Sequence, residues 1–494
     1  MEDLNNLKVR TLRAGFAKVL ATSANFIIRI GSLMVLARLL EPADFGLVGM
    51  VTAVTGVFSL FKDAGLAMVT IQRATITDEQ ISTLFWINIL LGALQMIVTL
   101  ALAPALAFFY DEPRLFGVAS ALAAGLLFDA AGVQHAALLQ RQMRFISLAT
   151  IELISSIVGI ATGIGMAIGG FGYWALVGMA VVAPATYTAC VIWTLNWVPG
   201  RPRRQVGCWS MIRFGGTSTL SILVNYVATN LEKVLLGRFW GAEALGIYGR
   251  AYQLVSIPTE NINSAFGGVA FPLLSRLQHD PARFKSYFLN GYSLFLSLTF
   301  PIAVTCAVFA DEIIFLFLGP KWKDAVVIFQ LLTPMILALA FLRPFGPFLS
   351  SLGMLGRSLK LALARAPFMI TAYILALPYG LRGVACATSA VTAMSVVPMI
   401  TYCIRDTMIS LQDIVRAVAR PALSIIIGAA LALGFQLLYG QSLSPISRLV
   451  LGGALLLFSY LFMLLYVMGQ KSFYLDLIRV VWPRPFGGEK ASVA

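Results

Sequence analysis

Apolar segments fill nearly the whole chain between residues 15 and 468, and only short polar stretches separate them. A helix needs about 20 mostly apolar residues to cross a bilayer. The pattern therefore predicts an all-α polytopic membrane protein with about fourteen transmembrane helices. We expect them over residues 15–40, 43–62, 83–109, 114–139, 147–169, 172–196, 213–239, 244–268, 286–309, 325–351, 359–379, 382–403, 417–439 and 447–468.

The composition supports this class. Of the 494 residues, 59% are hydrophobic and only 12% are charged, whereas soluble domains carry about 25% charged residues. The net charge of +14 does not indicate a nucleic-acid partner, because the basic residues lie between the apolar segments, where they orient helices and meet anionic lipid headgroups. The partner that surrounds the chain is the lipid bilayer.

The distribution of basic residues predicts the orientation. If the N-terminus is cytoplasmic and the helices alternate, the inside segments hold 25 lysines and arginines and the outside turns hold 7. Positively charged residues favour the cytoplasmic side. We therefore expect an even number of helices, with both termini cytoplasmic, in the inner membrane of a bacterium.

An internal repeat is visible at an offset of 200 residues. Residues 36–49 read LARLLEPADFGLVG and residues 236–249 read LGRFWGAEALGIYG. The offset spans six helices, which makes the repeats parallel, although chance matching is the alternative in a sequence rich in glycine and leucine. We expect an N-terminal lobe (1–200), a C-terminal lobe (201–410), and two further helices with a cytoplasmic tail (411–494). Gly46 and Gly246 are expected to approach each other when the two lobes close.

The sequence contains no recognisable catalytic or metal-binding pattern. Walker A, HExxH and GxSxG motifs are absent, and none of the 5 cysteines has a CxxC spacing. The short outside loops leave no room for the machinery of a membrane polymerase or ligase. We therefore expect no enzyme activity, no cofactor and no metal.

Among the cations within or near the ends of the apolar segments, four are candidates for a function: Arg29, Lys233, Arg250 and Arg343. A charge in the centre of a bilayer costs a few kcal/mol and usually faces a cavity or a partner. Arg343 precedes Pro344, which interrupts the helix ladder. Structural pairing and snorkelling remain the alternatives, but guanidinium groups suit phosphate oxygens. The four are candidate binding residues for an anionic substrate.

Three carboxylates, Glu152, Glu232 and Glu260, also fall within or near the ends of apolar segments. Return of an empty carrier needs a driving force, and a buried carboxyl group that takes up a proton could supply it. These three residues are candidates for ion coupling, with a structural ion pair as the alternative for Glu232.

Several short runs resemble the polysaccharide transporter family of Wzx-type flippases, within the multidrug/oligosaccharidyl-lipid/polysaccharide exporter superfamily. They include Leu36–Met50 (LARLLEPADFGLVGM), Phe61–Gly65 (FKDAG), Phe85–Asn88 (FWIN), Gly172–Leu176 (GYWAL) and Leu245–Tyr252 (LGIYGRAY). The likeness is to exopolysaccharide flippases of the colanic acid and succinoglycan type. It implies a two-lobed, fourteen-helix fold that moves undecaprenyl-pyrophosphate-linked oligosaccharides to the periplasmic leaflet. Polymerase and chain-length proteins would be possible partners.

Two other functions remain open from the sequence. One is a multidrug or small-solute antiporter of similar architecture, and the other is a membrane polymerase or ligase that acts on the same lipid-linked sugars. The two C-terminal helices argue against a twelve-helix drug exporter, and the short loops argue against the enzyme.

Overall fold

The computed structural model describes residues 23–61, 66–73, 75–202, 216–439, 442–471 and 474. The predicted beginnings of two helices, at 15–22 and 213–215, and the predicted tail after residue 474 lie outside these residues. Within them the chain is helical and has no β-strand.

Sixteen α-helices occur in the described residues. In chain order they are α1 (23–39), α2 (Pro42–Thr55), α3 (Leu66–Gln72), α4 (Asp78–Tyr110), α5 (Arg114–Arg141), α6 (Phe145–Ile168), α7 (Trp174–Leu195), α8 (Gly216–Arg276), α9 (Pro281–Val308), α10 (Ala310–Phe317), α11 (Lys323–Leu342), α12 (Phe345–Ser351), α13 (Leu355–Ala376), α14 (Gly380–Ile404), α15 (Leu411–Tyr439) and α16 (Pro445–Phe462). Short 3₁₀ turns follow α2, α10 and α13, and a π-helical turn follows α16.

The prediction of a polytopic all-α protein is confirmed. Nine helical stretches of the described chain are long and apolar enough to cross a membrane, and one of them, Gly356–Ile404, contains two of the predicted helices. Helix α8 contains two more within its 61 residues. With α1 and the shorter apolar helix at Pro42–Phe58, these stretches account for the predicted number of about fourteen.

Two features differ from the predicted segments. The two helices expected at 213–239 and 244–268 are present and meet at Gly241, where the backbone is non-helical with a φ of 80°, a conformation that glycine adopts without steric cost. The helix expected at 325–351 is interrupted between Leu342 and Phe345, as the missing N–H of Pro344 suggests. Helices α3 and α10 have only 7 and 8 residues. A search for apolar segments long enough to cross a membrane therefore does not find them.

The helices form two compact units. Unit 1 comprises residues 1–253, 314–331 and 355–391, and unit 2 comprises residues 254–313, 332–354 and 392–494. In unit 1, helices α4 to α7 pack on one another and α2 and α3 pack against α5. In unit 2, α9 packs against α15 and α16. The lobe boundaries at 200 and 410 stay a prediction.

The C-terminal helix pair is attached to the rest of unit 2 by buried polar contacts. The Tyr460 hydroxyl donates to the Ser297 carbonyl oxygen at 3.0 Å, and the Tyr474 hydroxyl donates to Ser297 Oγ at 2.7 Å. Arg448, at the start of α16, lies 3.2 Å from Glu312 of α10. The Glu312 side chain is only 1% exposed, so Arg448 supplies the charge that this buried carboxylate needs.

Within unit 1 the two repeat glycines form a reciprocal contact. A Cβ atom built on Gly46 would overlap the carbonyl oxygen of Ala242, and one built on Gly246 would overlap the carbonyl oxygen of Pro42. Pro42 and Ala242 are themselves related by the offset of 200. Each copy of the repeat thus contacts the other through the same two positions, as a two-fold relation between the copies requires. We call this contact the glycine seam.

The same offset relates a second stretch that the sequence analysis overlooked. Ala107, Phe109, Asp111 and Glu112 stand 200 residues before Ala307, Phe309, Asp311 and Glu312. Four further identities at the same spacing make chance matching a poor explanation for the repeat.

Candidate functional site

A buried carboxyl group lies at the centre of a polar cluster in unit 1. Glu232, on the first part of α8, is 1% exposed. Its Oε2 atom accepts a hydrogen bond from Thr388 Oγ1 of α14 at 2.9 Å, and the hydroxyls of Thr388 and Tyr248 are 3.2 Å apart. Tyr373 of α13 interacts electrostatically with the same carboxyl group, but its hydroxyl makes no hydrogen bond of acceptable geometry. Three hydroxyl groups therefore surround one carboxyl group within membrane helices.

Two cations lie near this cluster. Lys233 Nζ donates to Asn230 Oδ1 at 2.9 Å and is 5.1 Å from the centre of the Tyr252 ring. Arg365 acts electrostatically on Glu232 and Tyr252. It follows Leu355, the first residue of α13, by ten positions, which places it about 15 Å along the helix. Arg365 is therefore part of the membrane helix.

Arg250 occupies a different place, on the second part of α8. Its guanidinium carbon lies 4.3 Å from the centre of the Phe45 ring of α2, which is a cation–π contact. It also donates a hydrogen bond to Gln253. Arg250 is half-buried and held against α2 in this way, so it does not reach out of the membrane along its own helix.

The remaining predicted substrate and coupling residues lie apart from Glu232 or in the other unit. Arg29 is exposed on α1 and forms no hydrogen bond or ion pair with Glu232. In unit 2, Glu260 is exposed on α8, and Arg343 is half-buried at the interruption between α11 and α12. Of the seven candidates, the structure brings Glu232 and Lys233 into one cluster.

Glu152 borders a cavity of about 230 Å³ in unit 1. Asp129 of α5, Tyr187 of α7 and Gln140 also line it, and both carboxylates act electrostatically on the Tyr187 hydroxyl. Carboxylate, amide and phenol groups on one cavity can form hydrogen bonds with a polar ligand.

Polar contacts between turns surround the glycine seam. Lys321 Nζ lies 2.6 Å from Glu41 Oε1, Arg38 Nη2 donates to the Leu316 carbonyl oxygen at 2.9 Å, and Trp322 Nε1 donates to the Ala37 carbonyl oxygen at 2.8 Å. These turns were all predicted on the outer side of the membrane. In unit 1 they are therefore packed against one another.

A local ion pair occupies the turn between α4 and α5. Glu112 accepts hydrogen bonds from Arg114 Nε and Nη2, both at 2.8 Å. The hydrogen bond from Arg114 holds the pKa of Glu112 below its usual value.

Arg365, Thr388 and Tyr373 belong to the cluster but were missed from the sequence. Nothing local distinguishes Thr388 or Tyr373, because their hydroxyls matter only through the packing of α13 and α14 on α8. Arg365 did carry a signal: it is a charge within the predicted helix 359–379, eight residues before Tyr373. No group of three or more potential metal ligands occurs in the described part of the chain.

The fold is that of a known class of polytopic membrane proteins. A structure described as lipid II flippase MurJ in an inward closed conformation superimposes with a TM-score of 0.74, covering 94% of this chain and 99% of that one, at 14% identity. At that level of identity the likeness shows the fold alone.

The chain belongs to the family described as polysaccharide biosynthesis protein, whose model matches residues 35–327. It is 30% identical to the teichuronic acid biosynthesis protein TuaB of Bacillus subtilis over 304 residues, which cover 59% of this chain and 61% of TuaB. It is 24% identical to the succinoglycan biosynthesis transport protein ExoT of Rhizobium meliloti over 351 residues, or 70% of each chain. The predicted family, and the prediction that the chain is not an enzyme, are confirmed.

Proposed function

We propose that this protein moves undecaprenyl-pyrophosphate-linked oligosaccharide repeat units across the inner membrane for exopolysaccharide synthesis of the succinoglycan type. The observation that carries the proposal is the charged cluster around Glu232, which lies within membrane helices of a chain from a polysaccharide biosynthesis family. Charges in that place usually face a cavity or a partner and mark the path of a substrate or an ion.

The cationic side chains would bind the pyrophosphate. Arg29, Lys233, Arg250 and Arg343 are the proposed binding residues, and Glu152, Glu232 and Glu260 are the proposed coupling residues. A pyrophosphate carries concentrated negative charge, which paired guanidinium hydrogen bonds stabilise. Uptake of a proton by a buried carboxyl group would drive the return of the empty carrier. Polymerase and chain-length proteins are the proposed partners on the periplasmic side.

The test of this assignment is export of the polymer. We expect Arg29→Ala and Arg343→Ala to abolish export and to cause lipid-linked repeat units to accumulate in the inner leaflet. Lysine replacements should restore export only in part, since a point charge lacks the planar fork of arginine. Arg382→Ala, at an exposed position near the start of α14, is the control. Normal export from the Arg29/Arg343 double alanine variant would remove these residues from the site.

We propose that transport proceeds by alternating access, with both termini cytoplasmic. The glycine seam and the turns around it would then separate in every cycle. Cysteines do not fit at Gly46 or Gly246, because their Cβ atoms would overlap backbone carbonyls. Glu41→Cys and Lys321→Cys are better positions, joined by a short bifunctional thiol reagent in a cysteine-free background.

Linking Glu41→Cys to Lys321→Cys should stop export, and reduction of a cleavable linker should restore it. Each single-cysteine variant, treated in the same way, is the control. Export that continues with the link fully formed would exclude the opening of these turns from the transport cycle.

A further inference from the structure

The cavity of about 230 Å³ in unit 1 is lined by residues of four helices, α3, α5, α6 and α7. Its polar groups come from three of them: Asp129 and Gln140 of α5, Glu152 of α6 and Tyr187 of α7. Both carboxylates act electrostatically on the Tyr187 hydroxyl, so the polar groups of these helices face one space. The rest of the described lining is aliphatic and consists of three alanines, a valine and a leucine.

The cavity follows α5 from the end of that helix towards the interior of the membrane. Gln140 is exposed and directly precedes Arg141, the last residue of α5. Asp129 stands 12 positions before Arg141, which corresponds to about 18 Å along the helix. This end of α5 is predicted to be cytoplasmic, and the proposed cargo arrives from that side. A group that enters past Gln140 would therefore reach Asp129 last.

The lining suits a sugar ring. Carboxylates accept hydrogen bonds from sugar hydroxyls, whereas the Gln140 amide and the Tyr187 hydroxyl can both donate and accept. The aliphatic side chains offer a surface for the C–H groups of the ring, and ligand pockets commonly combine an apolar wall with a few polar groups. Pockets for drug-sized ligands have about 300–1,000 Å³. A cavity of about 230 Å³ therefore suits a single ring and not a whole repeat unit.

The charge of the cavity determines which kind of sugar fits. Two of its lining residues, Asp129 and Glu152, are acidic, and none of the described lining residues is a lysine or an arginine. Like charges repel strongly where water is scarce, so the carboxylate of a uronic acid is disfavoured there. The same repulsion applies to the diphosphate, and none of the four cations proposed to bind that group lines this cavity.

We propose that this cavity binds one uncharged sugar ring of the lipid-linked oligosaccharide and discriminates against a uronic acid. The inference rests on the proposed function and adds to it a sugar subsite with three further residues, Asp129, Gln140 and Tyr187. It agrees with the coupling role proposed for Glu152. The ionised carboxylate accepts hydrogen bonds from the bound sugar, and its uptake of a proton follows in the empty carrier, after the cargo has left.

The experiment measures binding to the full-length protein in nanodiscs of phosphatidylcholine. The probes are undecaprenyl diphosphate esterified with a methyl group, with glucose or with glucuronic acid, so that the diphosphate carries the same charge in all three. We expect the glucose lipid to bind the wild type about 10- to 100-fold more tightly than the methyl ester, as hydrogen bonds to charged groups allow. The glucuronic acid lipid should show no such gain.

Asp129→Ala should remove about tenfold of the gain from glucose, leave binding of the methyl ester unchanged, and reduce the preference for glucose over glucuronic acid. Tyr187→Phe loses a neutral hydrogen bond and should remove about two- to tenfold of the gain. Asp78→Ala, at an exposed position in the first turn of α4, is the control and should bind all three lipids as the wild type does. An equal loss for the glucose lipid and the methyl ester in Asp129→Ala would contradict a role of Asp129 in sugar binding.

Should the Asp129 variant fail to fold, the three lipids still decide the issue on the wild type. Equal binding of the glucose lipid and the methyl ester would overturn the inference and leave the flippase assignment standing. Equal binding of the glucose and glucuronic acid lipids would overturn the preference for an uncharged ring. Absence of binding of all three would count against the proposed function as well.

A small cation is the other ligand that two carboxylates could bind. Thermal unfolding of the wild type in sodium chloride and in choline chloride tests it. Stabilisation by sodium that is absent from Asp129→Ala, together with no gain in affinity from glucose, would identify a small cation as the ligand of the cavity and overturn the inference.

Discussion

At residues 36–49 and 236–249 the two copies of the repeat meet each other through the same glycine but approach it by different routes. In the first copy the chain leaves α1, turns at Glu41 and starts α2 at Pro42, and the Glu41 N–H donates to Asp44 Oδ2 at 3.0 Å. In the second copy the helix breaks at Gly241, where the backbone is non-helical, and a second helical segment follows directly. The seam needs close approach of the backbones, which both routes provide.

The side chains around the two copies differ more. Arg38 donates to the Leu316 carbonyl oxygen, whereas its counterpart Arg238 only faces the Phe109 ring at 5.9 Å. Glu41 pairs with Lys321, and its counterpart Gly241 has no side chain to pair. The first copy is thus tied to the turn before α11 by polar contacts. The comparison indicates that both copies preserve the glycine seam, whereas the hydrogen bonds and the ion pair around it occur at the first copy and not at the second.

The pair Glu112 and Glu312 shows the same asymmetry. Glu112 bonds to Arg114, two residues further along the same turn. Glu312 is buried and forms an ion pair with Arg448 of α16, in the C-terminal helix pair. In the second copy the carboxylate of Glu312 thus contacts the C-terminal helix pair, which has no counterpart in the first copy.

The largest expected effect tests the difference between Glu312 and Glu112. Arg448→Ala leaves Glu312 buried without its cation and should destabilise the protein by about 3 kcal/mol. Arg114→Ala removes a partly exposed pair and should cost less than about 1 kcal/mol. Thermal unfolding in detergent would measure both. The double variant Glu312→Gln/Arg448→Ala should regain part of the lost stability. Equal effects of Arg448→Ala and Arg114→Ala would contradict the interpretation that Glu312 attaches the C-terminal helix pair.

The second prediction tests the glycine seam. Gly46→Ala and Gly246→Ala each place a methyl group on a backbone carbonyl and should disfavour the closed seam by about 1–3 kcal/mol. Labelling of Ala37→Cys, which is fully buried beside the seam, by a membrane-impermeant maleimide should then be about tenfold faster, because one order of magnitude corresponds to about 1.4 kcal/mol.

Gly249→Ala is the matched control for the seam, since a Cβ there meets no atom within 4 Å. An alanine inside a helix is slightly better than glycine, so this variant should label as slowly as the parent. Equal labelling of the Gly46→Ala and Gly249→Ala proteins would mean that the seam does not limit opening.

The third prediction compares the contributions of Arg38 and Arg238 to the stability of the glycine seam. Arg38→Ala loses a hydrogen bond to a carbonyl and should cost about 1 kcal/mol of seam stability. Arg238→Ala loses a distant cation–π contact and should cost about 0.5 kcal/mol or less. The same maleimide labelling measures both, and a larger effect of Arg238→Ala would reverse the proposed asymmetry.

The smallest effect concerns pH. Because Arg114 lowers the pKa of Glu112 in the folded protein, the pair stabilises the fold above the unfolded pKa of about 4.3. That contribution is lost as the pH falls through the folded pKa. Unfolding midpoints between pH 7 and pH 3 should therefore fall slightly less in Glu112→Gln than in the parent protein. A parent and variant with parallel profiles would show that the pair contributes nothing.

The helical architecture could be predicted because hydropathy reports directly on segments of about 20 residues. It missed α3 and α10 because they are shorter than any span, but its two segments at 213–239 and 244–268 agree with the break within α8 at Gly241. The repeat was found where glycines matched. The Glu112 and Glu312 copies escaped notice because they lie at helix boundaries, where few apolar positions align.

The candidate site could be predicted only in part. Glu232 and Lys233 were recognisable as charges inside an apolar segment. Their neighbours Thr388 and Tyr373 are ordinary residues in membrane helices, and 156 positions separate Thr388 from Glu232 along the chain. Such partners are set by tertiary packing, which a single sequence does not display.

The ion pair between Glu312 and Arg448 also implies a delay during biosynthesis between the synthesis of its two partners. The carboxylate leaves the ribosome 136 residues before the arginine that neutralises it. At about 5–20 residues per second, that interval is roughly 7 to 27 seconds. Throughout it, α10 must keep Glu312 in water or at the headgroups, or hold it against an insertion factor. The last helix pair therefore completes the insertion of a segment synthesised long before it.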